Sequence, residues 1–235
     1  MLSTLVLVIA FIALSIIAFY SSFTAFLAWT YAKSKSKIDK EPIPELPDEL
    51  PLVTIQLPLY NELYVTERLL DSVAEINYPK DKLEIQVLDD STDETVEIAK
   101  EKVNQLHALG FTITHITRLD RTGFKAGALK EGLEASKGEF VAIFDCDHIP
   151  TRAFFQMSMG WFIHDPKLAL IQTPHHFFSP DPFERNLSNF RDVPGEGNLF
   201  YGLIQDGNDL WDSAFFCGSC AILRREPLEE VGGIA

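Results

Sequence analysis

The chain has 235 residues, 46% of them hydrophobic and 23% charged, which is enough for one globular domain plus an accessory segment and too apolar for a disordered chain. A formal net charge of −14 and a pI near 4.8 argue against a general nucleic-acid binder, which needs a basic face to neutralise phosphates. That balance leaves room for one small anionic ligand held by a few positioned groups. The cysteines, Cys146, Cys217 and Cys220, are too few for a disulfide framework and read as reduced thiols in a cytosolic compartment.

The N-terminus, "MLSTLVLVIAFIALSIIAFYSSFTAFLAWTYAK", holds no charge before Lys33. A helix needs about 20 apolar residues to cross the hydrocarbon core, and this run exceeds that. Trp29 and Tyr31 suit an aromatic belt at the interface. A secretory signal would want a basic start, a shorter apolar core and a small-residue cleavage site, and none is evident. The expectation is a retained transmembrane helix over 1–32. Lys33, Lys35, Lys37 and Lys40 follow, and basic flanks favour the cytoplasmic side, so the globular part is expected in the cytosol, anchored to an inner or plasma membrane by a single span. "EPIPELPDELP" then packs in four prolines, which denies a regular helix and makes a stiff spacer. The expected organisation is a membrane helix over 1–32, a basic and proline-rich linker over 33–50, and one domain over 51–235.

Within that domain, "LVTIQLP" (52–58) reads as a strand, and apolar residues at Val65, Leu69, Leu70, Val73 and Ile76 have helical spacing. A strand follows over 83–89. A helix comes next, with Thr92 as its expected N-cap and Gly110 at its end. Then come a strand over 111–116, a helix over 125–138 stopping at a glycine, and a strand over 139–145. Beyond Pro150 the pattern predicts a helix over 152–164, a strand over 168–174 and a polar loop. Strands alternating with helices predict an α/β fold with a mainly parallel sheet. In such sheets ligands bind outside the carboxyl ends of the strands. The clusters at those ends are Pro58 to Glu62, Asp89-Asp90-Ser91 and Asp145-Cys146-Asp147-His148, and all should meet along one edge.

"FDCDHIP" is by itself either an acidic turn or a metal site. At a strand end, Asp145 and Asp147 can both turn toward one ion, and carboxylates with water suit Mg²⁺ or Mn²⁺ bridged to substrate phosphates. His148 is a further candidate ligand, which shifts preference modestly toward Mn²⁺. Lys125, at a helix start, would add a point charge where the helix N-terminus already favours anions, or else is simply an exposed lysine. There is no G-x-G-x-x-G after the first strand and no P-loop. "CGSC" is a single C-x-x-C, open to a redox or zinc reading, but no second Cys or His pair follows it.

Together, "LPLYNE", "VLDDSTDET", "GFKAGALKEGL" and "IFDCDHIP" resemble the inverting family 2 glycosyltransferases with the GT-A nucleotide-sugar-binding fold. "QTPHHFFSPDPFERN", "EGNLFYGLIQDGNDLWD" and "FFCGSCAILRR" are similar to the processive membrane branch, the bacterial cellulose synthases and their relatives. The resemblance implies that Tyr60 stacks on the base of a nucleotide-sugar, Asp90 hydrogen-bonds that base and Lys125 meets the diphosphate. It implies that Asp145 touches ribose and, with Asp147 and His148, holds the metal. Phe216, Cys217, Gly218 and Ser219 would face the acceptor sugar chain, with Trp211 as a stacking surface and His176 near the donor groove. The implied donor is UDP-glucose, with a GDP-linked mannose as rival. The implied acceptor is a growing β-linked polysaccharide, and other synthase subunits are further partners the resemblance allows. An inverting transfer needs a base to deprotonate the acceptor hydroxyl. The family's motif for that base does not occur before Ala235, so the expectation is a fragment that carries the donor half and has no catalytic base identified. A non-catalytic, membrane-tethered nucleotide-sugar binder stays open as another reading, as does a mannan- or lipid-directed hexosyltransferase of the same family.

Overall fold

The computed structural model describes residues 2–38, 42–176, 197 and 200–234. The chain divides into two units. One comprises Met1–Pro42 with Pro174–Phe215, and the other Ile43–Thr173 with Phe216–Ala235.

The first unit is helical. Helix α1 spans Leu2–Ile38. Its segment Ser3–Lys33, 31 residues with a mean hydropathy of 2.5 in its most apolar window, is long and apolar enough to cross a membrane. At 1.5 Å per residue that segment is ~45 Å long. Large apolar side chains are exposed all round it, from Leu5 through Phe11 and Ile17 to Trp29, which suits a lipid surround rather than a protein core. Several of its hydroxyls bond back within the helix: Ser15, Ser22 and Thr24 donate to the carbonyls of Phe11, Ala18 and Tyr20 at 2.8, 2.7 and 3.0 Å. Near its C-terminal end Leu27 is buried, and the Phe26 and Trp211 rings lie 5.9 Å apart. Trp211 belongs to the segment that follows a π-helical stretch, Phe200–Gln205, and the short helix α6, Asp206–Asp209.

The second unit is a six-stranded sheet with helices on both faces. Its strands are β1 (Val53–Leu59), β2 (Leu83–Asp89), β3 (Thr112–Thr117), β4 (Phe140–Ile143), β5 (Leu170–Gln172) and β6 (Ala221–Arg224), in the order β3-β2-β1-β4-β6-β5. Strands β1 to β4 run parallel, and β6 is antiparallel to both of its neighbours. The helices are α2 (Thr66–Ala74), α3 (Thr95–Ala108), α4 (Phe124–Ala135), α5 (Phe154–His164) and α7 (Arg225–Glu230).

Alternation along β1 and β2 decides what each face buries. Val53, Ile55 and Leu57, with Leu83, Ile85 and Val87, join residues of α2, α3 and α5 in the larger core. Thr54 and Gln56, with Glu84 and Gln86, are equally buried. These polar side chains satisfy one another. The Thr54 hydroxyl donates to Glu84 Oε2 at 2.6 Å, and Gln56 Nε2 donates to Gln86 Oε1 at 3.1 Å and to the Leu129 carbonyl of α4 at 3.3 Å. A half-polar strand pattern is therefore fully buried at no cost in unmade hydrogen bonds. On α5, Phe154 packs on Phe144, Phe155 on Tyr78 and Phe162 on Phe140, with centroids 4.8 to 5.0 Å apart. The proline-rich stretch from Pro42 to Pro51 is extended, and its Leu46 and Leu50 pack against this core. Pro44 lies so close to α5 that a Cβ at Gly160 would collide with its carbonyl.

Three sequence expectations are corrected. Thr92 does not cap α3, which begins at Thr95; the Thr95 N–H is met by Asp93 Oδ1 at 3.0 Å, and the Thr92 N–H instead donates to Asn61 Oδ1 at 2.8 Å. Helix α4 ends at Ala135 rather than running to Gly138, because Ser136 is already extended. The strand expected over 168–174 shortens to three residues, because its pairing partner is β6, a strand that no sequence signal had marked.

Candidate functional site

Parallel register aligns the strand ends. Leu59 of β1 pairs with Asp89 of β2, and Asp89 pairs with Thr117 of β3. The next residue on each strand is therefore Tyr60, Asp90 or Arg118. Two hydrogen bonds fix the first two ends together: the Asp90 N–H donates to the Leu59 carbonyl at 3.0 Å, and the Asn61 N–H donates to the Ser91 hydroxyl at 2.9 Å. Beneath them Asp89 is buried, with Oδ2 at 2.8 Å from His115 Nε2 and Oδ1 accepting the Ser91 N–H at 2.9 Å. Burial opposes the charge on Asp89. The hydrogen bonds from His115 and Ser91 outweigh it and hold the carboxyl below the usual range.

A cleft of about 340 Å³ opens at these ends, lined by Tyr60, Glu62, Asp90, Arg121, Lys125, Asp145 and Asp147 among others. Each side chain has a traceable position. Arg118 Nε donates to Asp90 Oδ1 at 2.8 Å and its Nη2 to Oδ2, a bidentate fork with both side chains nearly buried. The same guanidinium donates to the carbonyls of Thr122 and Phe124 at 3.1 and 2.9 Å and so ties the loop before α4 to the sheet. That loop turns through Gly123 and then Phe124, whose φ is +50°. Gly127 follows in the first turn of α4, where any Cβ would collide with the Thr122 carbonyl and the Arg118 guanidinium. This close approach aims Lys125 across the cleft, where its Nζ donates to Asp145 Oδ1 and, at 2.8 Å, to the Gly218 carbonyl.

The "CGSC" loop closes the same corner. The Asp145 N–H donates to the Ser219 hydroxyl at 2.8 Å, and that hydroxyl lies 3.3 Å from His148 Nδ1. Gln172 receives the Cys217 N–H at 2.8 Å and donates to the Ser219 carbonyl at 2.9 Å. Asn61, Phe124 and Cys220 all hold positive φ without being glycine, the first two next to the cleft residues Tyr60 and Lys125, where such backbone cost is commonly found.

Asp145, Asp147 and His148 each offer one ligand atom, all within 4.8 Å of one another, with His148 Nδ1 at 3.1 Å from Asp147 Oδ1. Two carboxylates and an imidazole on a partly exposed corner fit a hard divalent cation. Cys220 and Cys146 are a different matter. Burial, reinforced at Cys220 by Asp145 and Asp147 and at Cys146 by Glu62 and Asp147, pushes each thiol up to about 11. A C-x-x-C redox couple needs a low-pKa thiolate, and neither of these two thiols supplies it.

Tyr60, Asp90, Lys125, Asp145 and Asp147 thus share one cleft, and Gly218 and Ser219 reach it through hydrogen bonds to Lys125 and Asp145. His148 stands beside the two aspartates, and Phe216 packs against the smaller core formed with α4 and β6. Trp211 and exposed His176 belong to the helical unit. Sequence reasoning missed Arg118, Arg121 and His115. The "HITRLDR" run does carry a signal, since two arginines directly follow a strand whose neighbour ends in aspartates.

A mainly parallel sheet with an acidic D-x-D corner and a lysine-bearing helix start is shared with a known class of proteins. The sequence model of glycosyl transferase family 2 matches residues 54–232, so the chain belongs to that family. It is 51% identical over 190 residues to a cellulose synthase catalytic subunit (UDP-forming) of Pseudomonas fluorescens, covering 80% of this chain and 25% of that protein. It is 46% identical over 217 residues to cellulose synthase 1 catalytic subunit (UDP-forming) of Komagataeibacter xylinus, covering 92% of this chain and 28% of that protein. The chain therefore spans about a quarter of the length of these curated relatives. Among solved structures it is similar to the mannosyltransferase PcManGT of Pyrobaculum calidifontis in complex with GDP-Man and Mn²⁺, with 28% identity and a TM-score of 0.67 over 92% of this chain and 57% of that one. The fold is the GT-A glycosyltransferase fold.

Proposed function

We propose that this chain carries the donor-binding part of a membrane-anchored, inverting hexosyltransferase that extends a β-linked polysaccharide, with UDP-glucose as donor. The observation that carries the reading is the cleft itself. It gathers an aromatic face (Tyr60), an anchored carboxylate (Asp90), a cation (Lys125) and the D-x-D pair along one sheet edge. The cellulose synthase relatives support the choice of glucose and of a polymer acceptor.

In this reading the base of the nucleotide stacks on Tyr60, and Asp90, held in place by the Arg118 fork, accepts a hydrogen bond from the base edge. Lys125 and the first turn of α4 receive the diphosphate. Lys125 exchanges its bond to Asp145 for phosphate oxygens, which frees the Asp145 carboxylate. Asp145, Asp147 and His148 would hold Mg²⁺ or Mn²⁺, which would supply charge to the departing nucleoside diphosphate. The loop Phe216 to Ser219 borders the sugar side. The D-x-D aspartates hold the donor and do not serve as base. Helix α1 anchors the chain with the catalytic unit on the cytoplasmic side, beside other synthase subunits.

Mannose transfer from a GDP-sugar is the second reading, favoured by the likeness to a mannosyltransferase solved with GDP-Man and Mn²⁺. Parallel calorimetric titrations of UDP-glucose and GDP-mannose into the purified chain with Mn²⁺ separate the two. Saturable binding of UDP-glucose with at most weak GDP-mannose binding is expected. The reverse preference selects mannose, and binding of neither overturns the donor-site reading.

A further inference from the structure

We propose that Arg121 is an internal occupant of the base-stacking face, which leaves Tyr60 when a nucleotide arrives and becomes a second cation for its diphosphate. This rests on the nucleotide-site reading above and adds to it a residue and an exchange.

The cations at this edge are held very differently. Arg118 is locked in its fork with Asp90 and by two carbonyls. Lys125 bonds to Asp145 and the Gly218 carbonyl. Arg121 makes no side-chain hydrogen bond through its Nε among the described residues, and its one ion pair, to Asp90, is long. Its guanidinium carbon lies 3.2 Å from the centroid of the Tyr60 ring and 5.2 Å from that of Phe124. Its Nε is buried and has no hydrogen-bond partner among the described residues. An Asp90 oxygen stands 3.8 Å from that Nε, beyond hydrogen-bond reach, and Arg118 already takes both oxygens of that carboxylate. The Arg121 side chain is still 37% exposed and lines the cleft together with Lys125, Asp145 and Asp147.

A stacked guanidinium with an unmade N–H bond is a replaceable arrangement. A diphosphate offers it paired, charge-assisted acceptors that a phenol ring does not. A base needs the same aromatic face that the guanidinium covers. Both exchanges run in one direction, so a ligand with phosphates gains from Arg121 and one without phosphates competes with it. A purely structural arginine would not split the two ligands in this way.

The test uses the full chain in detergent, as wild type, Arg121→Ala and Arg121→Gln. The probes are uridine and guanosine, followed by ligand-observed NMR titration, and UDP and GDP with Mn²⁺, followed by calorimetry. For whichever base the wild type binds, Arg121→Ala should weaken the diphosphate by about tenfold or more, as loss of a charge-assisted hydrogen bond predicts. It should tighten the nucleoside by about two- to fivefold, as removal of an exposed cation–π competitor predicts. Arg121→Gln, with a side chain still over the ring but no charge, should weaken the diphosphate equally and leave the nucleoside near wild type. Weakening of both ligands in Arg121→Ala, or a change in neither, overturns the proposal while the nucleotide site stands. A wild type that binds none of the four probes overturns the site reading and this inference with it.

Discussion

Asp89 is the residue on which the strand-end geometry rests. Its folded-state carboxyl sits below the usual range, so its hydrogen bonds to His115 and Ser91 stabilise the fold fully above the unfolded carboxylate value of about 3.9. That contribution fades as pH falls through the lower folded-state value. Asp89→Asn should therefore be less stable than wild type at pH 7, with a gap that narrows below about pH 4, as read by urea denaturation at several pH values. Asp90 makes a second case. Arg118→Ala leaves a nearly buried carboxylate without its fork and should cost ~3 kcal/mol in a urea melt. Cys220 makes a third. Its thiol is pushed up to about 11 by burial and by Asp145 and Asp147, so alkylation should stay slow through pH 8 and accelerate only in strong alkali. Half-maximal reactivity near pH 7 would contradict this and revive a redox role. Tyr60, Lys125 and the D-x-D pair were legible in the sequence because polar residues at parallel strand ends have few structural reasons to be there. Arg118 and Arg121 were not, because an arginine in a loop reads as solvated until the register places it beside Asp90.

Helix α4 shows how an element delivers a residue. Gly127 is required by contact rather than by backbone conformation, since the loop carbonyl of Thr122 and the Arg118 guanidinium fill the space of a side chain there. Gly127→Ala should cost ~1–3 kcal/mol by overpacking and should weaken nucleotide affinity as well, because it shifts Lys125. Gly160→Ala meets the Pro44 carbonyl instead, away from the cleft, and should lower stability with nucleotide affinity unchanged in the folded fraction. Measuring thermal midpoint and affinity together separates the two. The βαβ elements were visible from periodicity and turn residues. Strand β6 was not, because "AILR" is four residues long and takes its meaning from β4 and β5 on either side. The full burial of Thr54, Gln56, Glu84 and Gln86 was equally hidden, since alternation normally announces a solvated face.

Across the whole molecule, the apolar helix and the α/β unit can be tested separately. The Ser3–Lys33 segment should keep the chain in the membrane fraction through alkaline carbonate washing, and removal of residues 2–33 should release it. The central claim is that the D-x-D corner binds a nucleotide together with a divalent ion. Calorimetry of the nucleoside diphosphate that fits the cleft, UDP first, into wild type and Asp147→Ala with and without Mn²⁺ tests it most directly. The exposed Asp147 side chain makes its loss harmless to folding. Saturable, Mn²⁺-dependent binding in the wild type that falls by tenfold or more in Asp147→Ala, about 1.4 kcal/mol or more, is the predicted result. Binding that is absent, or that is indifferent to both the ion and Asp147, would contradict it.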